Sequence, residues 1–175
     1  MEEESKELLQ LYKKYLNKEE LTIEELNLIF KSFTFNDGIT LDLEYIDGLT
    51  FPKRVRGGVV LTAKEIKNTE FKYVEGGIQA NNAKVIKNVC FGENTIGDIS
   101  LLSVELLRNV FFPKEIRNGS LILPNLKVAF NVKLSNKVRK NVDMSLLEKA
   151  IKIEKSNFVG GKFYINDTAI KKVRK

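Results

Sequence analysis

The sequence has no histidine and no tryptophan, and Cys90 is its only cysteine. A lone cysteine cannot form a disulfide within the chain, and without histidine the common zinc ligand sets cannot be assembled. The side chain that most often acts as general base is missing as well. Cys90 precedes Phe91 at a predicted core position, so we expect a buried small hydrophobe rather than a nucleophile. These absences predict a protein of a reducing compartment, with no metal and no cofactor.

Enzyme motifs are lacking too. None of the glycine pairs at 57–58, 76–77 and 160–161 has the lysine and serine or threonine of a phosphate-binding loop. The carboxylates show no repeated pairing within a turn that would supply both an acid and a base. We therefore expect a protein without catalytic activity.

Long apolar runs are also absent, since no segment approaches the ~20 residues that cross a bilayer. The N-terminus begins Met1-Glu2-Glu3-Glu4, whereas a secretory signal begins with basic residues. We expect no membrane contact. The expected location is the cytoplasm, either of a bacterium or, if a phage encodes the protein, of its host.

Charge is distributed unevenly along the 175 residues. Residues 1–50 carry 12 acidic and 5 basic side chains, whereas residues 51–175 carry 11 acidic and 24 basic ones. A basic body raises the encounter rate with an acidic partner, either nucleic acid or an acidic protein surface. Lysine-rich composition also serves solubility alone, so the sequence leaves both interpretations open.

The strongest pattern is an internal repeat. Each unit has a turn, then an apolar-x-apolar pair, then a single apolar residue about five positions later. The turns lie at 37–38, 57–58, 76–77, 97–98, 118–119, 140–141 and 160–161, and six of the seven contain glycine. The pairs that we expect to face inward are Ile39/Leu41, Val59/Leu61, Ile78/Ala80, Ile99/Leu101, Leu121/Leu123, Val142/Met144 and Phe163/Ile165.

Three further apolar columns keep nearly the same period. One follows the pairs: Ile46, Ile66, Ile86, Leu107, Val128, Ala150 and Ile170. One precedes the turns: Val55, Val74, Ile96, Ile116, Val138 and Val159. The last occupies a corner and is expected to be core: Phe51, Phe71, Phe91, Phe112 and Leu134.

The repeat predicts a mainly β fold in which about seven short units stack as rungs of a parallel-strand solenoid. A unit of about 20 residues cannot bury its own apolar face, so stacking on its neighbours must supply the core. We expect one structural domain, with a helical cap at 1–36, the solenoid at 37–170 and a basic tail at 171–175.

Residues 51–61, Phe-Pro-Lys-Arg-Val-Arg-Gly-Gly-Val-Val-Leu, resemble the short bacterial leucine-rich repeats, and the resemblance extends over residues 37–170. That family combines a Leu-Pro corner, a polar turn and a Leu-x-Leu strand. Its asparagine position is occupied here by Glu44, Lys64, Ala83, Val104, Leu126, Leu147 and Thr168. Asn68, Asn88 and Asn109 recur at another corner and could bond to backbone there. The cross-section is therefore either a leucine-rich-repeat arc or a closed β-solenoid.

The two ends of the solenoid differ. Residues 5–33 predict two helices, because apolar residues recur at helical spacing and Thr22 with Glu25 forms a capping box. These helices would cover the first rung. After Ile165 no amphipathic helix follows, so the sequence predicts self-association, as a homodimer, through the C-terminal rung.

Two sets of residues are candidate binding sites. The outward strand positions form a mixed, nearly neutral face: Thr40, Val60, Gln79, Ser100, Ile122, Asp143 and Tyr164. Basic side chains recur at two corners: Lys67, Lys87 and Arg108 at one, and Arg56, Arg117 and Arg139 at the other. The first corner set would form a ladder of like charges, with neighbours about 4.8 Å apart.

We therefore expect a protein–protein interaction module whose partner has an acidic surface. A small repeat protein rich in lysine and asparagine resembles products of bacteria and their phages, which implies an inhibitor or adaptor, for example of the anti-CRISPR kind. The alternative is a nucleic-acid-binding protein that uses the basic corners. Against it, the sequence has no helix-turn-helix, zinc finger or aromatic RNA-binding motif.

Overall fold

The computed structural model describes residues 2–169, so the predicted core residue Ile170 and the basic tail 171–175 lie outside the described residues. Within that range, two helices precede a coil built from three parallel β-sheets. The helices are α1, Glu2–Leu16, and α2, Ile23–Ser32. A short 3₁₀ helix, Asp167–Ala169, ends the described chain. The mainly β solenoid fold is confirmed.

The strands of the three sheets follow one another around each turn of the coil. Sheet 1 contains Ile39–Asp42, Val59–Thr62, Ile78–Gln79, Ile99–Ser100, Leu121–Ile122, Val142–Met144 and Phe163–Ile165. Sheet 2 contains Tyr45–Asp47, Glu65–Glu70, Val85–Cys90, Leu106–Phe111, Val128–Lys133 and Lys149–Glu154. Sheet 3 contains Tyr73–Val74, Asn94–Thr95, Glu115–Ile116, Lys137–Val138 and Phe158–Val159.

Three sheets around the coil decide between the two cross-sections. A leucine-rich repeat contributes one strand and a helical or 3₁₀ segment to each unit. Here each complete turn contributes a strand to every sheet, so the coil is a β-solenoid. It makes about six turns, and the seven predicted units correspond to the seven strands of sheet 1.

Sheet 1 confirms the predicted stacking of the apolar pairs. Ile78 lies beside Val59 on one side and Ile99 on the other, and Ile99 lies beside Leu121. These side chains are fully buried. Residues 19 to 22 positions apart in the chain are therefore direct neighbours, and together they form the interior.

Two positions of the other predicted columns are wrong by one residue. Ala129 is in register with Leu107 and Ala150 and is buried, whereas Val128 lies outside beside Leu106. Likewise Thr95 is in register with Val74 and Ile116, so it faces the core and Ile96 does not. Both errors have one cause: because neighbouring residues in a strand face opposite sides, a one-residue shift exchanges inside and outside.

The corner column of phenylalanines is confirmed as core. The rings of Phe51, Phe71, Phe91 and Phe112 are stacked nearly parallel, with centroids 4.2, 5.1 and 5.0 Å apart. Leu134 continues the column and is buried. The period of the sequence therefore brings identical rings into contact, which adds aromatic stacking to the burial of apolar area.

The recurring asparagines form a ladder, although not the predicted one. Asn88 donates to Asn68 over 2.9 Å, Asn109 donates to Asn88 over 2.9 Å, and Asn131 donates to Asn109 over 3.0 Å. The bonds thus join side chains rather than side chain and backbone. Each of these residues has φ between 45° and 53°, a conformation that asparagine tolerates better than other side chains.

The two N-terminal helices pack against the first turn. Thr22 Oγ1 accepts from the Glu25 backbone, and the Glu25 carboxylate accepts from the Thr22 backbone, which confirms the capping box. Tyr12 stacks on Phe33 with ring centroids 4.1 Å apart, and Phe30 stacks on Phe51 at 5.5 Å. The phenylalanine column of the solenoid is thereby continued into α2.

Candidate functional site

The predicted outward ribbon lies on sheet 1. Its seven residues are in continuous register from the first strand to the last: Thr40, Val60, Gln79, Ser100, Ile122, Asp143 and Tyr164. Several are engaged locally, since Ser100 donates to Asn81 over 2.9 Å and Asp143 accepts from the Ser145 backbone over 3.1 Å. The ribbon carries no basic residue in this register, and its role in binding stays a prediction.

The basic corner formed by Lys67, Lys87 and Arg108 lies on sheet 2, where the three residues are in register. It is not a bare ladder of positive charge. Glu65 lies between the first two, 2.7 Å from the Lys67 ammonium and 3.4 Å from that of Lys87. The hydrogen bond from Lys67, with a further bond from Lys87, lowers the pKa of Glu65, whereas desolvation opposes this shift. Both lysines are thus partly neutralised within the protein.

Arg108 differs from the two lysines beside it. Its guanidinium lies over the ring of Phe130, 5.6 Å from the centroid. Within residues 2–169 no carboxylate lies within 4 Å of it. The arginine is therefore exposed, held against an aromatic ring and available to an acidic group from outside.

The second basic corner is divided. Arg117 and Arg139 occupy adjacent turns, because the Arg117 backbone donates to Thr95 and the Arg139 backbone donates to Ile116. Arg56 shares their register but is separated from them by Glu75 and Ile96. Only Arg117 and Arg139 can therefore act together.

An exposed apolar surface occupies the outer side of sheet 2, and sequence reasoning missed it. Phe111 is 43% exposed and Phe130 36%, and half-buried apolar residues surround them. The register places these residues in three columns, and the asparagine ladder lies between the column of Phe130 and that of Phe111. We call this surface the apolar patch; it comprises Val85, Cys90, Leu106, Phe111, Val128, Phe130 and Ile151.

The apolar patch had a signal in the sequence. Val85, Leu106 and Val128 recur at the period of the repeat, one residue before the inward column. In each of these strands two apolar residues are adjacent, so the pattern does not say which of them faces inward. Cys90 also belongs here, since it lies beside Phe111 and is half-buried rather than fully buried.

Positive charge gathers on the last turns of sheet 3. Segments 113–120, 135–141 and 155–162 hold seven basic residues and one acidic residue, Glu115. A depression there is lined by Ile96, Glu115, Arg117, Asn118, Arg139 and Lys140. The sequence does not show this clustering directly, because the residues come from three separate turns.

No group of three or more histidine, cysteine, aspartate or glutamate side chains between residues 2 and 169 is arranged to hold a metal ion. None of the helices in that range is both long enough and apolar enough to cross a membrane.

Comparison of the chain with protein-family models, with curated proteins and with solved structures gives no match.

Proposed function

We propose that the protein is a non-catalytic protein-binding module and that its main contact surface is the apolar patch on sheet 2. The observation that carries this proposal is the exposure of two phenylalanine side chains, Phe111 and Phe130, on the outer side of sheet 2. Contiguous apolar surface with charged neighbours is typical of protein interaction sites.

The patch has the anatomy of an interaction surface. Its centre is apolar, with Leu106 and Val128 in one column and Phe111 in another. Charged side chains border it: Lys87 on one side, and Lys133, paired with Glu154 over 3.0 Å, on another. An apolar centre with a polar rim excludes water from the contacts that contribute most to affinity.

Arg108 supplies the polar anchor of the patch. Its guanidinium lies against Phe130 and has no carboxylate partner within residues 2–169. Arginine is enriched among residues that dominate binding energy, because its planar group both stacks and forms paired hydrogen bonds. The partner is therefore expected to place an aspartate or glutamate on Arg108, within apolar surroundings.

A protein suits this face better than nucleic acid. Its lysines are largely matched by carboxylates, with Glu65 between Lys67 and Lys87. A phosphate backbone would be drawn to unmatched cations and repelled by those carboxylates. An acidic protein surface can meet the cations of this face that have no carboxylate partner within residues 2–169, which are Arg108 and Lys149 beside Val128.

The proposal includes a narrower form, an inhibitor or adaptor that a bacterium or its phage produces and that acts in the cytoplasm. The small size and the lysine- and asparagine-rich composition support it. Self-association through the C-terminal rung also stays a prediction, because residues 170–175, which follow this rung, lie outside the described residues.

The proposal predicts that Phe111→Asp combined with Phe130→Asp lowers the amount of captured partner at least about tenfold. Loss of one hot-spot aromatic residue typically costs more than about 1 kcal/mol of binding free energy. The measurement is affinity capture from native lysate, with and without nuclease, followed by binding of the purified partner to both forms. Nuclease should leave the captured partner bound, because that contact is with protein.

The matched control is Val60→Asp combined with Tyr164→Asp, which adds the same charge to two exposed apolar residues of sheet 1. This variant should retain the partner. If instead the sheet 1 variant lost the partner and the sheet 2 variant kept it, the contact surface would be the ribbon on sheet 1. If nuclease released everything captured, the protein-binding function would be wrong.

A further inference from the structure

The last turns of sheet 3 form a second, chemically different surface. We call it the basic face; it comprises Lys114, Arg117, Lys137, Arg139, Lys140 and Lys162. Most of these side chains are exposed, and Lys137 is half-buried. The apolar patch lies on another sheet, so the two surfaces can be altered independently.

One carboxylate organises the basic face. Glu115 lies 3.6 Å from Arg117 Nε, 3.4 Å from Lys137 Nζ and 3.4 Å from Arg139 Nε. A single negative charge can offset only one of these three positive charges. The remaining cations lie close together, and their mutual repulsion would be relieved by an anion with several charges.

The cations are arranged along the axis of the coil. Arg117 and Arg139 share one register on adjacent turns, and Lys162 lies on the turn after them, two residues beyond their register position, which Gly160 occupies. Consecutive turns of a parallel sheet are about 4.8 Å apart, so the face extends for about 10 Å in that direction. A chain of regularly spaced anions, rather than one isolated ion, fits this shape.

Exposed aromatic rings accompany the cations. Phe158 is 49% exposed and its ring lies 5.9 Å from Lys137 Nζ; Tyr164 is 45% exposed and its ring lies 5.9 Å from Lys162 Nζ. Cations combined with exposed rings are the usual components of single-strand binding surfaces, where bases stack on the rings. A segment of aspartate and glutamate would use the cations but has no aromatic ring to stack on Phe158 and Tyr164.

We propose that the basic face binds the phosphate backbone of single-stranded nucleic acid, without sequence preference, while unpaired bases contact Phe158 and Tyr164. This site is additional to the protein contact on sheet 2. It moves the nucleic-acid alternative away from the corner of Lys67, Lys87 and Arg108, where Glu65 already pairs with both lysines.

The test is fluorescence anisotropy of the full-length protein with a labelled oligothymidylate of about 16 nucleotides, the upper site size of a single-strand binding fold. Arg117→Gln combined with Arg139→Gln should weaken binding at least about tenfold. The plot of log affinity against log salt concentration has a negative slope, and its steepness should decrease by about 1.4, the value for two lost phosphate contacts.

The matched control is Lys13→Gln combined with Lys14→Gln, which removes the same charge from exposed positions of α1. It should bind the oligonucleotide as the unchanged protein does. If Arg117→Gln with Arg139→Gln disturbed folding by circular dichroism, Lys140→Gln with Lys162→Gln would give the same comparison at exposed side chains.

Two results would overturn the proposal. One is the absence of oligonucleotide binding at low salt, or an equal loss in the α1 control, since net charge alone would then explain any affinity. The other comes from a labelled polyglutamate peptide of equal charge. If the peptide bound as tightly as the oligonucleotide and Phe158→Ala left oligonucleotide binding unchanged, the face would be a site for acidic protein.

Discussion

Replacing Phe71 by alanine should lower the free energy of unfolding by about 3–5 kcal/mol, the range for replacing a buried phenylalanine by alanine. Phe71 is 1% exposed and its ring stacks between those of Phe51 and Phe91, at 4.2 and 5.1 Å. Removal of the ring would leave a cavity between Phe51 and Phe91. The hydrogen-bonded turns on either side keep their spacing, so this cavity cannot readily close. Urea denaturation followed by circular dichroism measures the change.

The control for this prediction is Phe111→Ala, in the apolar patch. Phe111 is 43% exposed on sheet 2, so its loss should lower the free energy of unfolding by only about 1 kcal/mol. Equal effects of the two substitutions would mean that Phe71 does not lie in the interior, and the stacked column would have to be abandoned.

Replacing Gly119 by alanine should cost about 3 kcal/mol, at the upper end of the range for overpacking. A Cβ atom at Gly119 would lie 2.5 Å from the Asp98 nitrogen and closer still to the Gly97 carbonyl group. Both neighbours are backbone atoms of the preceding turn, so no side chain can move aside. The glycine is therefore required by close approach of two turns, and urea denaturation should show the loss directly.

Gly48 is the control for Gly119, because it has an unusual backbone conformation without a close neighbour. It has φ of +82°, but a Cβ atom there would meet nothing within 4 Å. Gly48→Ala should therefore cost only about 1 kcal/mol, from the left-handed conformation alone. If Gly48→Ala were as damaging as Gly119→Ala, the contacts between turns at Gly97 and Gly119 would not be as tight as described.

The fold could be predicted because the repeat gives the same information many times. Sheet 1 begins within one residue of each turn, so the turn residues fix which of its positions face inward. Six of the seven predicted pairs are buried, and Phe163/Ile165 is half-buried against the core. Sheet 2 begins after a corner of variable length and has no such marker. At Val128 and Ala129, two adjacent apolar residues made both alignments possible, and volume alone favoured the wrong one.

The candidate surfaces were harder to predict for a related reason. Arg117 and Arg139 are 22 positions apart in the chain, and only the coil brings them together. Adding charge along their column, once the period is known, finds this pair. The pairing of Lys67 and Lys87 with Glu65 could not be predicted in the same way, because it depends on side-chain direction within one sheet.

The central claim is that residues about 21 positions apart are direct neighbours in adjacent turns, and Cys90 allows this to be tested covalently. Its partner in the next strand is Phe111, and both lie on the outer side of sheet 2. Neighbouring strands are about 4.8 Å apart, within the range of Cα separations that a disulfide can bridge. In the Phe111→Cys variant, mild oxidation and mass spectrometry of the folded protein should find an intramolecular disulfide to Cys90, whereas Val60→Cys, on sheet 1, should give none. A Phe111→Cys protein that stayed reduced under these conditions, or a disulfide in both variants, would contradict the stacked coil and with it the placement of both surfaces.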